Sequence, residues 1–430
     1  MDTQAQPQKK RIRHLLAVGP LPPPPSGSNV SFQVFCEHLT DCTSVEILSI
    51  IDSSPKQIKE NTSILTWRNL KQALRQVGLL WQMGSQADAI LLFGSNQYLL
   101  SLTPLLVLLS RLLGKPCYVR SFGGSLDQFA ENLHPLARAV MYWGFRNAHG
   151  LLVETQLLYR YFAAISGIRT HHLTAYRPIS SLEGLLAPAK RAFTQSMQSE
   201  SGQSKPGQST PRQKREKPAL RLLFISWIRE EKGVTALLQA LQYLYREEED
   251  GSEGASETQI RETRFRSEVN DKERSQHAAP KIQCDLFGPI VHEYEEKFKS
   301  ELAQTPWASY CGILQNEDVL ATMGAYDVLV FPTFYQGEGY PGIIVEAMIA
   351  GLPVVTTRFR SIPDMIEDQV NGLIVEPNDS VSLAEGIRYF LENPGRIPLM
   401  AEANHRRHHK YDLHTVLPEM IGIMESSSGG

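Results

Sequence analysis

Cysteine is scarce in this chain, and what there is has no pattern. The five residues (Cys36, Cys42, Cys117, Cys284 and Cys311) are scattered through 430, odd in number and never spaced as C-x-x-C. That excludes a disulfide scaffold, a zinc ribbon and a thioredoxin-like redox pair, and it fits a reducing compartment such as the cytoplasm. Charge of one sign is also lacking: 43 Lys+Arg stand against 46 Asp+Glu, for a net −3. No stretch interleaves bases with aromatics, which argues against a nucleic-acid partner. Long apolar runs are missing too. Near the N-terminus only Leu15 to Val18 is continuously apolar before Gly19 and Pro20, too short for an export signal.

The near-neutral total hides an asymmetry. Residues 1–178 hold 17 Lys+Arg and 10 Asp+Glu, whereas the remainder hold 26 and 36. A basic first half and an acidic second half suggest different partners for each. Residues 89–110 carry no charge, but Gly94, Ser95, Asn96 and Gln97 divide them into a strand, AILLF, and a Leu-rich helix, YLLSLTPLLVLLSRLLG. That helix is too short to span a ~30 Å hydrocarbon layer. It reads as a buried helix, with contact to a membrane surface as the alternative because Arg111 and Lys115 lie beside it.

Short apolar strands alternate with helical patterns through both halves. HLLAVG, VEILSI, AILLFG, CYVRSF and GLLVET come first; RLLFIS, CDLFG, DVLVFP, PVVTT and GLIVE follow. Continuous apolar strands separated by helices predict parallel sheets covered on both faces, hence an α/β protein of two doubly wound, Rossmann-like domains. The expected domains are residues 1–180 and 218–400, with a polar, largely disordered linker at 181–217 and a C-terminal helix and tail at 401–430. Within the linker, Thr194–Lys217 contains one clearly apolar residue, Met197. A second polar stretch at 247–280 has 15 charged residues out of 34 and reads as a disordered insertion in the second domain.

The densest chemistry lies in FPTFYQGEGYPGIIVEAMIAGLPVVTT, Phe331 to Thr357. A strand ends at Phe331–Pro332, a loop follows, and Pro341 marks the start of a helix, where its missing N–H is no loss. Free amides at a helix start form an anion site. Glu338 precedes the helix and Glu346 lies inside it, so both can border one ligand and accept hydrogen bonds from sugar or ribose hydroxyls.

Glu338, seven residues, Glu346 and then AMIAGLPVV resemble the E-x7-E signature of retaining GT-B glycosyltransferases, family 4 (glycosyl transferases group 1) in particular. FISWIREEKGV, YCGILQNEDV, AYDVLVFPT and NGLIVEPNDSVSLAEGIRYFLENP resemble that family's donor-domain segments in order. LLAVGPLPPPPSGSNVSFQVF resembles its first-domain loop, with Gly27–Ser28 where a Gly-Gly is common, and YVRSFGGSLDQF its acceptor-side loop. The resemblance implies a GT-B fold: two Rossmann-like domains facing a cleft, acceptor side first and nucleotide-sugar side second. It implies that Glu346 binds the ribose, that Glu338 with the amides of Gly339 and Tyr340 addresses donor sugar and diphosphate, and that Lys232 neutralises the diphosphate. Gly233 and Gly342, with Gly27 and Ser28, fall on the donor-binding loops. No metal and no cofactor are implied, and the chain contains no D-x-D motif.

Two departures stand out. Trp227 occupies the place of a common arginine, which Arg229 is expected to replace at the diphosphate. Phe122–Gly123 stands where many relatives have His-Gly, and phenylalanine cannot hydrogen-bond from its side chain. Arg120 and Asp127 flank that loop as acceptor contacts or as structural residues. His405 to Lys410, HRRHHK, reads as a solvated basic face of a late helix. Ser125 has no local triad partners.

The expected function is transfer of a sugar from a nucleotide sugar to a glycan or lipid-linked acceptor with retention, with polysaccharide or glycolipid biosynthesis as its setting. The partners expected are the donor, the acceptor and an anionic membrane surface at the cytoplasmic face. The alternatives are a non-catalytic GT-B-like nucleotide-binding protein and a sugar-nucleotide epimerase.

Overall fold

The computed structural model describes residues 11–22, 27–54, 67–179, 219–250 and 281–427. The expected linker, at 181–217, and residues 251–280 of the expected insertion lie outside the described residues. The chain divides into two compact units. The first comprises Met1–Ser180, Gln336–Val345 and His408–Gly430; the second comprises Ser181–Tyr335 and Glu346–Arg407.

The first unit holds β1 (His14–Gly19), β2 (Glu46–Asp52), β3 (Ala89–Gly94), β4 (Cys117–Ser121), β5 (Gly150–Val153) and β6 (Thr170–His172). They form one parallel sheet in the order β2-β1-β3-β4-β5-β6. β3 and β5 are buried along their whole length, as apolar residues on both faces require. One face packs Val18, Leu92, Val119 and Leu151 against the helices Trp67–Gly84, Thr103–Leu112 and Pro135–Asn147. The other packs Ala17, Leu91, Phe93 and Tyr118 against Gly27–Cys42 and the C-terminal helix Leu413–Ser427. Each buried Leu or Phe contributes ~1.5–3 kcal/mol. Two hydrogen bonds fasten the C-terminal helix: the Tyr118 hydroxyl donates to the Met424 carbonyl, and the Ile12 amide to the Glu425 carboxylate at 3.0 Å.

The Leu-rich stretch differs from the single buried helix expected. It forms two helices, Asn96–Ser101 and Thr103–Leu112, separated at Leu102 with Pro104 in the first turn of the second. Leu106 and Val107 are buried, but Leu105, Leu108 and Leu112 are exposed. Among the described residues, no helix is long and apolar enough to cross a membrane.

The second unit holds β7 (Leu220–Ile225), β8 (Ile282–Phe287), β9 (Ala308–Tyr310), β10 (Val328–Phe331), β11 (Val354–Thr357) and β12 (Gly372–Val375). The sheet is again parallel, in the order β12-β11-β10-β7-β8-β9. Leu222, Phe224, Val330 and Val355 pack under the helices Val234–Asp250 and Ser380–Glu392. Asp379 caps the latter, accepting from the Val381 and Ser382 amides at 2.9 and 3.0 Å, which begins it where the apolar pattern begins.

Candidate functional site

In the second unit, β7 and β10 lie side by side where the strand order reverses. Ligands of doubly wound sheets bind beyond the C-terminal ends of the strands at such a point. Both loops that leave these strands carry residues singled out from sequence. The loop after β7 ends in a single turn, Glu230–Lys232, and then Gly233 with φ +77°. A Cβ at Gly233 would lie 2.1 Å from the Pro332 carbonyl oxygen, so glycine alone lets this loop rest on the end of β10. The Phe334 amide donates to the Glu231 carbonyl at 2.8 Å and ties the two loops together. The ammonium of Lys232 stands 4.7 Å from the Tyr335 ring centre and 5.6 Å from that of Phe331, a position that leaves a fixed positive charge at the strand ends.

Arg229 is held differently. Its Nε and Nη2 each lie 2.8 Å from a carboxylate oxygen of Glu231, and its guanidinium sits 5.3 Å over the Tyr335 ring. The hydrogen bond from Arg229 is the main cause that holds the Glu231 carboxyl below its ordinary value. Arg229 therefore reaches a second anion only by sharing or leaving Glu231. Trp227, at the start of this loop, is 57% exposed. Glu346 is half-buried on the helix Gly342–Ala350.

The loop before that helix together with its first turn, Gln336–Val345, packs with the first unit, so the division between units falls between Glu338 and Glu346. It is seated there by close backbone approach. Gly123 has φ +85°, and the Gly124 amide donates to the Gly337 carbonyl at 3.2 Å. A Cβ at Gly124 would stand 1.7 Å from the Glu338 carbonyl oxygen, and one at Gly339 2.8 Å from Glu154 Oε2. Gly342 is equally confined, its Cβ position lying 2.1 Å from Arg177 Nη2. Gly124, Gly339 and Gly342 thus let loops and side chains meet, and Gly123 supplies the left-handed backbone beside them. Half-buried Glu338 follows Gly337 directly. Tyr340 is buried, its hydroxyl 3.4 Å from His172 Nε2.

Glu154, at the end of β5, was not singled out from sequence. Its buried carboxylate accepts hydrogen bonds from the Tyr340 and Gly123 amides and faces Arg120 and Arg177. Burial pushes the carboxyl up, while the two guanidiniums and the two amides oppose that shift. A single acid thus joins the loop after β4 to the Gly339–Tyr340 segment. The signal available beforehand was an acid directly after the wholly apolar run GLLV.

Arg120, read as an acceptor contact or a structural residue, has the surroundings of a buried side chain. It is fully buried on β4, donates to the Leu173 and Thr174 carbonyls at 3.3 and 3.0 Å, and lies 5.4 Å over the Tyr176 ring. Asp127 is buried in the first turn of the helix Leu126–Asn132. Phe122 stacks on Phe93 at 5.4 Å, packed on the apolar core where a histidine would have a polar ring. Gly27 and Ser28 open the helix that follows β1, with Ser28 Oγ 3.4 Å from Asn29 Oδ1. The solvated face expected for His405 to Lys410 holds only in part: His408 is fully buried. Among the described residues, no group of three or more His, Cys, Asp or Glu is arranged to hold a metal ion.

Comparison with known proteins agrees with these observations. Residues 265–393 match the family described as glycosyl transferases group 1. An Escherichia coli O-antigen chain mannosyltransferase B is 36% identical over 87 residues, 20% of this chain and 22% of the relative. A Streptomyces kanamyceticus 2-deoxystreptamine glucosyltransferase is 32% identical over 93 residues, 22% of this chain and 23% of the relative. Such matches span well under half the length of these curated relatives. Among solved structures, a glycosyltransferase from Rickettsia africae superposes with a TM-score of 0.67 at 15% identity, covering 97% of this chain and 99% of that one. Anabaena HepE in complex with UDP superposes with a TM-score of 0.64 at 14% identity, covering 96% and 100%. Having two six-stranded parallel sheets and these neighbours, the chain has the GT-B fold and resembles the group 1 glycosyltransferases.

Proposed function

We propose that this protein is a retaining, metal-independent glycosyltransferase that moves a sugar from a nucleotide sugar to a glycan or lipid-linked acceptor, working in the cytoplasm against the inner face of a membrane. The observation that carries the reading is Lys232, a cation fixed beside Tyr335 and Phe331 at the switch point of a doubly wound sheet. Breaking the bond between the anomeric carbon and the diphosphate leaves its electron pair on a phosphate oxygen. A cation already in place stabilises that developing charge without reorganising. The acceptor hydroxyl forms the new bond on the face the diphosphate leaves, and its proton passes to the departing phosphate oxygen. Glu346 holds the ribose in this reading, and Glu338 with the Gly339 and Tyr340 amides addresses the sugar and diphosphate.

The test has two stages. A thermal-shift screen of UDP, GDP, ADP and their sugars identifies the donor, since a ligand bound only by the folded state raises the melting temperature. Lys232→Ala and Glu346→Gln then lower transfer at least ~10-fold, because charge-assisted hydrogen bonds are worth ~1.5–3 kcal/mol. Wild-type turnover in both variants sinks the assignment. The bidentate Arg229–Glu231 pair and the apolar packing of Phe122 favour a second reading, a nucleotide-binding relative without turnover. A protein that binds a nucleoside diphosphate yet releases none from any nucleotide sugar establishes that reading, and an epimerised nucleotide sugar formed without acceptor establishes an isomerase.

A further inference from the structure

One face of the first unit is at odds with a solvated surface. On the helix Trp67–Gly84, the exposed residues Trp67, Leu70, Leu74 and Trp81 fall on one stripe, and Trp67 is 78% exposed. The stripe runs ~21 Å at the helical rise. The neighbouring helix Thr103–Leu112 turns Leu105, Leu108 and Leu112 outward at the same kind of spacing. Beyond it, Pro135–Asn147 exposes Leu136, Val140 and Trp143. All three helices cover the same side of the sheet with their opposite faces, where Leu80, Leu106 and Phe145 enter one core. Three of the five tryptophans in the chain therefore lie on this face, whereas Trp307 is buried and Trp227 belongs to the second unit.

The charges on these helices decide what the face fits. In a chain whose acids outnumber its bases, the three helices carry Arg68, Lys71, Arg75, Arg111, Arg138 and Arg146 and not one Asp or Glu. Lys71 and Arg75 are exposed directly beside Leu70 and Leu74. A protein partner would be met by an apolar centre with hydrogen-bonding groups of both signs at its rim. Trp and Leu stripes on helices that carry bases and no acid are instead the composition of a surface that lies in a membrane interface, rings at headgroup level and cations toward anionic lipid.

We propose that the exposed face of the helices Trp67–Gly84, Thr103–Leu112 and Pro135–Asn147 is a docking surface for an anionic lipid bilayer. It gives the membrane partner of the proposed function a location and depends on that part of the reading, not on the transfer chemistry. The side chains of the three stripes enter the boundary between headgroups and acyl chains, and Lys71 and Arg75 pair with lipid phosphates.

Co-sedimentation of the full chain with vesicles tests the proposal. Vesicles mixing phosphatidylcholine with phosphatidylglycerol are expected to carry the protein down, and phosphatidylcholine alone at least ~10-fold less well. Lys71→Glu with Arg75→Glu lowers binding to the mixed vesicles at least ~10-fold. Trp67→Ser with Leu70→Ser and Leu74→Ser lowers it by a similar factor and also removes the binding that persists at high salt. All five positions are exposed, and an unchanged far-UV melting curve shows that the variants are folded. Equal sedimentation of wild type and variants, or none with either vesicle, overturns the proposal. So does a wild-type dimer that the serine variant converts to monomer while no vesicle is bound, because the face then belongs to a second copy. Nucleotide binding read alongside separates this outcome from a failure of the transferase reading.

Discussion

Replacing Gly233 by alanine places a methyl group where the fold has no room, and the structure separates the two costs involved. The first is conformational. At φ +77° an L-residue with a Cβ is strained by ~1–2 kcal/mol. The second is steric: the new carbon would stand 2.1 Å from the Pro332 oxygen and 2.8 Å from Pro332 Cγ. Neither neighbour is the free end of a flexible chain, so the loop must move off β10 by roughly an ångström, at ~1–3 kcal/mol for overpacking. The sum is about 2–5 kcal/mol. Gly312 supplies the control, with φ +86° and nothing within 4 Å of its Cβ position, so Gly312→Ala bears the conformational cost alone. Hydrogen exchange is the right assay, since the Leu237 amide donates to the Gly233 carbonyl at 3.0 Å and reports local opening of the helix Val234–Asp250. Gly233→Ala is expected to accelerate exchange there well beyond Gly312→Ala, and to weaken binding of a nucleoside diphosphate because Lys232 moves with its neighbour. Equal effects of the two substitutions would refute the steric argument.

Other expectations follow from the same contacts. Glu154→Leu leaves two buried amides and the Arg120 and Arg177 guanidiniums without their carboxylate and destabilises by ~3–5 kcal/mol, whereas Glu154→Gln keeps an acceptor and costs less; denaturant titrations giving equal losses contradict this. Because the folded-state value of Glu154 is raised, its contribution is most favourable at low pH and falls as pH rises through the range between its unfolded and folded values. Glu154→Gln should flatten that part of the stability profile, and an unchanged slope argues against a buried, titrating Glu154. Glu231→Gln releases Arg229 from its bidentate partner and should tighten diphosphate binding if Arg229 reaches that group; unchanged affinity by calorimetry removes Arg229 from the site. Thiol labelling at neutral pH should modify exposed Cys311 first and spare Cys117 and Cys284, which are buried, the Cys117 thiol being pushed up to about 12 by burial. Early labelling of Cys117 would contradict its place in the core.

The elements that were legible beforehand share one property: they signal by local apolar content. AILLFG and GLLV are buried in a sheet interior, and each is a run of apolar residues between loop signals. β6 and β9 have no such run. Each is three residues long at a sheet edge, THH and ASY, and none of these residues is fully buried, so only pairing with a neighbour makes them strands. Glu154 is hidden for a related reason, since its partners come from positions 120, 123, 177 and 340 and no window of sequence contains them. The E-x7-E segment is legible as a pattern, but its seat against Gly124 and Glu154 is not.

The helix Trp67–Gly84 shows what a stripe cannot say. Leu80 enters the core, with Val77 and Leu79 packed against it, while Trp67, Leu70, Leu74 and Trp81 face outward. Both sets are apolar, and periodicity alone identifies either as the buried one. The sheet breaks the tie: its apolar residues Leu92, Val119 and Leu151 are covered by one set, leaving the other with nothing among the described residues of the first unit to cover it. An apolar stripe exposed in a folded unit demands a partner that a core stripe does not. The absence of any acid from this helix and its two neighbours then narrows the partner to one that welcomes positive charge. Charge pattern, which carried little weight for the fold, becomes the deciding observation for the surface.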